Sequence, residues 1–347
     1  MTQPIPQAPV ACPQAWLGSD MAQRDDWVRP LQAAEIAELE SAARMALASG
    51  KSLGELSRAD FDLPLLGAAC RDWLQELDRG RGFLLLRGLP VQEWGFELSQ
   101  FAYVGLGLQL GLLASQNAAG DLLGHVRDTG EDPDDPGVRL YKTNRAQGFH
   151  VDGADIIGLL CLRGAKQGGE SRIVSSVSVF NRILETRPEL AKLMFEPFHF
   201  DRQEEQGEGE DPTFVIPLAY YDGNNLRMFY IGWYIREAQR HDHVPRLSPA
   251  QNELLDLIDS TADELALDMD FRSGDIQLLK NSTILHGRAA FRDWDDPGRR
   301  RHLLRLWINP DLGLADGGNV AREIPAVEGA TSDAQLLGDA NGAGNRS

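Results

Sequence analysis

The first part of the chain carries apolar residues at helical spacing. Stretches 31–50 and 66–80 repeat apolar residues every three to four positions, and each ends at a glycine, a common helix stop. Residues 94–113 have a similar pattern but contain several glycines, which lower helix propensity. The run GFLLLRGL at 82–89 is short, apolar and bounded by glycines, as expected of a buried strand. The pattern therefore predicts three helices and one strand.

From about residue 138 the pattern changes to short apolar or alternating runs separated by Gly, Asp, Asn and Pro. The runs that predict strands are VRLYKT, DIIGLLCL, SRIVSSV, TFVIPLAYY, LRMFYI, DIQLLKN and HLLRLWI. Many short strands between turn residues indicate a mostly antiparallel sandwich or barrel. A helical insertion is predicted near 248–267, with Ser248 as the N-cap and Pro249 in the first helical position. The predicted fold class is mainly β with helical additions.

The two ends of the chain differ from the middle in composition. Residues 1–30 are rich in Pro, Gln and Asp, which predicts a loosely ordered N-terminal arm. Residues 311–347 are rich in Gly, Ala, Asp and Asn, which predicts a flexible C-terminal tail. We therefore expect a single domain over residues 31–310.

Overall charge narrows the range of partners. The formal net charge is -18, so the surface repels phosphate backbones and anionic lipids. We expect neither nucleic acid nor a membrane as partner, and any anionic ligand needs a local reversal of charge. No apolar run reaches the roughly 20 residues of a membrane span. The absence of a secretory signal pattern and three widely spaced cysteines predict a cytoplasmic protein without a disulfide framework.

A histidine and a carboxylate two positions apart suggest a metal site. In a strand, residues i and i+2 share a face, so His150 and Asp152 in FHVDGADIIGLLCLR can offer ligand atoms to one point. His286, in NSTILHGRAAF, is the best third ligand, and completes the two-histidine, one-carboxylate set of non-haem ferrous sites. A second H-x-D at His199 and Asp201 shows that the motif alone is weak. Two polar residues in an ordinary turn remain the alternative.

Arginines near the end of the chain suggest an anionic ligand. If GRRRHLLRLWINP forms a strand, Arg301, Leu303 and Arg305 share one face. An unpaired buried guanidinium is costly, whereas a carboxylate ligand satisfies it through two charge-assisted hydrogen bonds. Carboxylates of the protein itself are an equally good explanation at this point.

Four motifs in order resemble one enzyme family. H-x-D, a Gly-Gly stretch leading to Ser171 in KQGGESRIVSSV, a distant His and R-R-x-x-x-R resemble the iron(II)- and 2-oxoglutarate-dependent dioxygenases of the TauD/TfdA type. The resemblance runs over roughly residues 82–310, and LHGRAAF is especially similar to the carnitine-pathway and clavaminate branches. It implies a double-stranded β-helix, or jelly roll, with helical additions. Residues 31–310 would then be one catalytic domain.

The resemblance assigns roles to individual residues. His150, Asp152 and His286 match the iron ligands of the family. Because related halogenases lack the carboxylate, Asp152 implies an oxygen-driven outcome rather than halogenation. The implied reaction consumes O2, decarboxylates 2-oxoglutarate to succinate and oxidises, most simply hydroxylates, an aliphatic C–H of a small molecule.

The same resemblance extends to the cosubstrate. Arg301 matches the arginine that pairs with the distal carboxylate of 2-oxoglutarate, and Ser171 matches the hydroxyl that hydrogen-bonds it. Arg305 matches a second arginine beside cosubstrate or substrate. Two alternatives stay open: a cupin-type metalloenzyme that does not use 2-oxoglutarate, and a non-catalytic ligand-binding jelly roll.

Substrate recognition is poorly marked in the sequence. The segment YKTNRAQGF leads into the histidine–aspartate pair, so it is expected to line the entrance to the site. The substrate candidates are Tyr141, Asn144, Arg145 and Asn281. The substrate's identity and the oligomeric state are left open, with a homo-oligomer compatible with the sequence.

Overall fold

A computed structural model describes residues 3–117, 119–132, 138–204, 206–207 and 209–310. The predicted tail, 311–347, lies outside the described residues. The α-helices are α1 (Gly18–Met21), α2 (Ala33–Ala48), α3 (Pro64–Arg79), α4 (Val91–Leu110), α5 (Ser176–Thr186), α6 (Pro188–Leu193), α7 (Gly232–Glu237) and α8 (Pro249–Leu265). The three predicted N-terminal helices are thereby confirmed as α2, α3 and α4. None of the helices in the described ranges has the length and apolar character needed to cross a bilayer.

Short strands recur along the chain after α4, as the alternating runs predicted. The strands are β1 (Val28–Pro30), β2 (Phe83–Arg87), β3 (Leu112–Ala114), β4 (Leu123–Val126), β5 (Gln147–His150), β6 (Ile156–Arg163), β7 (Gln167–Gly168), β8 (Ser171–Ser175), β9 (Pro197–Asp201), β10 (Thr213–Pro217), β11 (Ala219–Tyr221), β12 (Leu226–Met228), β13 (Leu267–Met269), β14 (Ile276–Lys280), β15 (Ile284–Arg288), β16 (Phe291–Arg292) and β17 (His302–Asn309). The fold is rich in sheet and carries helices around it.

Two sheets organise these strands. The larger has the order β1-β2-β14-β6-β17-β3, with β4 also paired to β17, and the smaller has the order β13-β8-β15-β5. Pairing is antiparallel except between β1 and β2. A buried apolar cluster contains residues of both sheets, among them Phe83, Leu85, Ile157, Leu279, Ile173 and Ile284. The sheets therefore pack together through one apolar layer.

Helices cover the opposite faces of the two sheets. Leu84 and Leu86 alternate with the inward residues of β2 and join the cluster formed with α2, α3 and α4, as the period of a strand requires. On the smaller sheet, Val174 and Leu285 join a cluster with α5 and α8. Helix α8 begins as predicted, because the Ser248 hydroxyl accepts a hydrogen bond from the backbone N–H of Gln251 at 3.2 Å.

Two predicted strands differ from the structure. VRLYKT forms a 3-10 turn over Leu140–Lys142, because its apolar residues are only half-buried and the Thr143 hydroxyl donates to the Leu140 carbonyl at 3.0 Å. SRIVSSV is a strand only as far as Ser175. The Ser175 hydroxyl accepts a hydrogen bond from the Ser178 N–H at 3.0 Å and caps α5 instead.

Residues 3–30 pack against the sheets, although their composition predicted a loosely ordered arm. Trp16 and Trp27 are buried and tilt against the ring of Phe83, with centroids 4.9 and 5.8 Å away. Trp16 also donates through Nε1 to the Arg81 carbonyl at 2.9 Å. Burial of two large indoles outweighs the weak local propensity of the segment, since each contributes on the order of a few kcal/mol.

Candidate active site

Two imidazoles and a carboxylate converge between the sheets. His150, Asp152 and His286 each present a ligand atom, and these atoms lie within 4.8 Å of one another. Both histidines are buried. His150 Nε2 lies 3.9 Å from one oxygen of Asp152, and His286 Nε2 lies 3.6 Å from the other. These are the residues that the sequence predicted as metal ligands.

Strand pairing explains how residues so distant in sequence meet. His150 in β5 and His286 in β15 are direct cross-strand partners, and their ring centroids are 4.3 Å apart. Asp152 lies just beyond the end of β5. Asn281 holds that turn: its amide oxygen accepts from the Asp152 N–H at 3.0 Å, and its amide nitrogen donates to the carbonyls of Asp152 and Ala154 at 2.6 and 2.7 Å.

The carboxylate of Asp152 is oriented by the larger sheet. On β17, Arg305 donates through Nη1 to one oxygen at 3.1 Å, and Trp307 donates through Nε1 to the same oxygen at 3.1 Å. Burial alone would raise the pKa of Asp152, but Arg305 and the two imidazoles outweigh it and hold the pKa well below its ordinary value. Asp152 is therefore an anion across the physiological range.

The hydrogen bonds of His150 distinguish its two ring nitrogens. Its Nδ1 lies 2.9 Å from the Gly148 carbonyl, which places the proton on Nδ1 and leaves the Nε2 lone pair facing the carboxylate. Burial, followed by the nearby His286, lowers the pKa of His150 to about 3. The Gln147 amide lies 3.1 Å from Nε2, and the Trp233 ring lies 5.0 Å from the imidazole by centroids. A neutral imidazole is the form that binds metal.

The donor set fits a ferrous ion. Two imidazole nitrogens and one carboxylate oxygen on one side of an otherwise open cavity are the two-histidine, one-carboxylate arrangement that suits non-haem Fe(II). His150 and Asp152 also make hydrogen bonds to neighbouring protein groups, and such bonds orient the ligands of a metal. We therefore find the residues compatible with iron.

A cavity of about 420 Å³, part of it open to solvent, extends from these three residues. Arg301 lines it, is 4% exposed, and has an Nη1 without a hydrogen-bond partner among the described residues. Burial lowers the pKa of Arg301 to about 10, so the guanidinium stays charged at neutral pH. Ser171 also lines the cavity and donates to the amide oxygen of Gln277.

In the glycine stretch before Ser171, the missing side chain of Gly169 leaves room for the guanidinium of Arg301. Gly169 has a φ of 78°, in the region that favours glycine. A β-carbon at this position would lie 3.2 Å from Nε of Arg301. The Gly169 carbonyl also accepts a long hydrogen bond from Arg301 Nη2 at 3.5 Å. A side chain here would displace the guanidinium.

Arg305, for which the sequence offered cosubstrate or substrate as partner, is paired within the protein. Besides Asp152, it donates through Nε to Gln116 at 2.7 Å. Its guanidinium lies 5.0 Å from the centroids of Tyr141 and Trp307, in the range of a cation–π contact.

The four substrate candidates lie in different surroundings. Tyr141 lines the cavity. Asn144 and Arg145 are exposed, and the residues lining the cavity include neither of them. Asn281 is buried and is committed to the backbone of Asp152 and Ala154. Sequence reasoning missed Gln147, Trp307 and Arg288. Trp307 stands two positions after Arg305 and so shares its face of β17. Arg288 stands two positions after His286 and shares its face of β15.

The fold and this site together have the arrangement of mononuclear metal enzymes with two histidines and one carboxylate. Comparison with known proteins gives the family. Residues 48–307 match the model of the taurine catabolism dioxygenase TauD, TfdA family, and the chain belongs to this family. It is therefore an iron(II)- and 2-oxoglutarate-dependent dioxygenase whose cofactors are ferrous iron, 2-oxoglutarate and O2.

Two curated relatives match most of the chain. FR-33289 synthase of Streptomyces rubellomurinus is 30% identical over 318 residues, which cover 89% of this chain and 93% of the relative. The taurine hydroxylase-like protein SAT17 of Stachybotrys chartarum is 31% identical over 304 residues, covering 84% and 77%.

Solved structures show the same fold at lower identity. Asparagine oxygenase in complex with Fe(II), 2S,3S-3-hydroxyasparagine and succinate matches with a TM-score of 0.63 and 16% identity, over 81% of this chain and 93% of that chain. The non-heme iron oxygenase OrfP in complex with Fe and alpha-ketoglutaric acid matches with a TM-score of 0.62 and 17% identity, over 87% and 98%.

Proposed function

We propose that His150, Asp152 and His286 bind a ferrous ion, and that the enzyme hydroxylates an aliphatic C–H of a small molecule. The observation that carries this proposal is the convergence of two imidazole nitrogens and one carboxylate at the wall of a cavity between the sheets. We further propose that the two sheets form the jelly roll of the family, and that residues 31–310 are its catalytic domain. Family membership favours this function over a cupin-type enzyme or a non-catalytic binding protein.

Iron, when bound with 2-oxoglutarate, supplies O2 activation coupled to oxidative decarboxylation to succinate. The chain's own residues position the reactants in the cavity. We assign to Arg301 the distal carboxylate of 2-oxoglutarate, because its buried guanidinium lines the cavity and has unused donors on Nη1 among the described residues. Ser171 adds a hydroxyl, which would exchange its bond to Gln277 for one to the cosubstrate. Such charge-assisted bonds are about twice as strong as neutral ones.

The residues around the cavity describe the class of substrate. Val126, Leu159 and Leu303 supply an apolar wall, while Tyr141 adds a polar group. This combination suits a small organic molecule with polar ends and an aliphatic carbon. The relatives act on different small molecules, as the names FR-33289 synthase and asparagine oxygenase say of those proteins.

Anaerobic titration of the metal-free protein with Fe(II) and 2-oxoglutarate tests the proposal. We expect a visible metal-to-ligand charge-transfer band in the wild type, its loss in His150→Ala, and weaker 2-oxoglutarate binding in Arg301→Ala. His199→Ala is the matched control, since His199 stands in the second H-x-D pair, and it should keep the band. A folded, iron-loaded wild type without the band would contradict the proposed use of 2-oxoglutarate.

A further inference from the structure

A second buried arginine lies at the Arg301 end of the cavity. Arg288 is the last residue of β15, two positions after His286, so its side chain leaves the same face of the strand. It is 6% exposed and lines the cavity. Its Nε and Nη1 have no hydrogen-bond partner among the described residues. Within those residues, neither Arg288 nor Arg301 has a carboxylate oxygen within ion-pair distance.

Strand pairing places Arg288 beside the residues assigned to the distal carboxylate. Arg288 in β15 is the direct cross-strand partner of Ser171 in β8, and directly opposed side chains on antiparallel strands are close neighbours. The guanidiniums of Arg288 and Arg301 both lie against the Phe291 ring, 4.9 and 5.2 Å from its centroid. Two cations and one hydroxyl therefore surround one end of the cavity.

The spacing along β15 matches the length of the cosubstrate. Positions i and i+2 of a strand are about 6.5 Å apart, so the Arg288 position lies roughly that far from the His286 position. The first and fifth carbons of an extended 2-oxo dicarboxylate are about 5 Å apart by ordinary bond lengths. An acid that chelates a metal beside His286 and runs along this strand would bring its far carboxylate to Arg288.

We propose that Arg288 is a second guanidinium for the distal carboxylate of 2-oxoglutarate, acting together with Arg301 and Ser171. The proposal rests on the proposed function of the site. Two neighbouring guanidiniums repel each other in a buried pocket, and an anion between them removes that repulsion while filling their unused donors. The pocket is thereby selective for a 2-oxo acid that carries a second carboxylate.

Arg288 has another set of contacts that offers a competing role. Its Nη2 donates to the Arg145 carbonyl and, at 3.4 Å, to the Leu140 carbonyl. It therefore also fixes the segment that carries Tyr141 over the cavity. A purely structural arginine would support binding of any 2-oxo acid, whereas a carboxylate-binding arginine supports only those with a distal carboxylate.

A cycle of protein and ligand variants separates the two roles. Wild type, Arg288→Met and Arg288→Lys are loaded with Fe(II) without oxygen. They are titrated with 2-oxoglutarate or with 2-oxopentanoate, which has the same carbon chain without the far carboxylate. The charge-transfer band reports binding without turnover. Arg292→Met is the control, because Arg292 is an exposed arginine on the neighbouring β16.

We expect Arg288→Met to weaken 2-oxoglutarate binding about 10- to 100-fold, as for loss of a charge-assisted hydrogen bond. Binding of 2-oxopentanoate should stay unchanged, Arg288→Lys should lie between, and Arg292→Met should match the wild type. An equal loss for both ligands, or no loss, would overturn the proposal. If the Met variant melts early by circular dichroism, Arg288→Lys decides by the same comparison. A wild type that gives no band with either acid would instead contradict the proposed function itself.

Discussion

The chain contains the pattern H-x-D twice, and within the described residues only one copy joins a group of side chains that could hold a metal ion. His150 and Asp152 face His286 from a neighbouring strand, with nitrogen and oxygen atoms turned toward one point. His199 and Asp201 lie on β9, also a regular strand. There, however, Asp201 is fully buried and accepts from Arg240 at 2.8 and 3.0 Å.

The difference lies in what the carboxylate already binds. Asp201 is further occupied by the N–H of Gln203 at 2.7 Å and by His241 at 3.0 Å. His199 Nδ1 lies 3.5 Å from the Thr213 hydroxyl, and the imidazole beside the Asp201 carboxylate is that of His241. Local spacing decides only which face two side chains share. Long-range pairing decides whether their lone pairs are used within the protein or offered to a ligand.

Exchange of each aspartate for asparagine is expected to give the largest contrast. Asp152→Asn removes the anionic ligand and should abolish the iron–2-oxoglutarate charge-transfer band in a folded protein. Asp201→Asn should keep the band but lower the free energy of unfolding by about 1–3 kcal/mol, because Arg240 and His241 lose a buried acceptor charge. Band intensity and urea unfolding measure both effects. Loss of the charge-transfer band in a fully folded Asp201→Asn variant would contradict the expected difference between the two aspartates.

The indole that holds Asp152 provides the next test. Trp307→Phe keeps an aromatic ring but removes the Nε1 donor to the carboxylate of Asp152. Loss of such a supporting hydrogen bond typically costs 10- to 100-fold in metal affinity. We expect a loss in that range, about 10- to 100-fold, in anaerobic Fe(II) titration. An unchanged affinity would show that Arg305 alone orients the carboxylate.

Lowering the pH should reduce folding stability more through a fully buried histidine than through a half-buried one. Burial, then His125 and Arg127, lowers the pKa of His302 to about 4, below its ordinary value of about 6.5. The unfolded chain therefore binds more protons between these values, and stability falls as the pH drops from about 6.5 to about 4. The contribution of this group reaches up to about 3 kcal/mol.

Denaturant unfolding at several pH values measures this dependence. In His302→Gln the fall in stability over that pH range should be smaller than in the wild type. His199→Gln is the control, because His199 is only half-buried and should change the pH dependence less. Equal slopes for His302→Gln and the wild type would contradict the expectation.

The smallest effect is expected far from both H-x-D pairs. Ser248→Ala removes the cap of α8 and its reciprocal bond with Gln251, which should cost about 1 kcal/mol of stability and leave iron binding unchanged. Ser260→Ala, on an exposed position of the same helix, should be neutral or slightly stabilising. Altered iron affinity in Ser248→Ala would show that the helix supports the site.

Much of the fold follows from patterns that are local in sequence. DIIGLLCL predicts β6 because a short run of apolar residues, interrupted only by Gly158 and bounded by turn residues, is typical of a buried strand. The i, i+2 rule placed Leu303 and Arg305 on one face, and both line the cavity. The same rule applied to His286 would have found Arg288.

Other features depend on partners that no local pattern shows. Trp16 and Trp27 have little apolar sequence around them. Their burial depends on a contact distant in sequence, with Phe83 of β2. Whether His150 or His199 belongs to the metal-binding set depends on which of them is opposed by His286. That pairing is a property of sheet order rather than of composition.

The order of the large sheet means that some neighbouring strands are synthesised far apart in time. Strand β2 bonds on one side to β14, which is made roughly 190 residues later. At common translation rates that interval is about 10 to 40 s. During it, the apolar strand FLLLR lacks its partner on that side. His150 is likewise made long before His286, so the three candidate metal ligands can come together only after β15 has been synthesised.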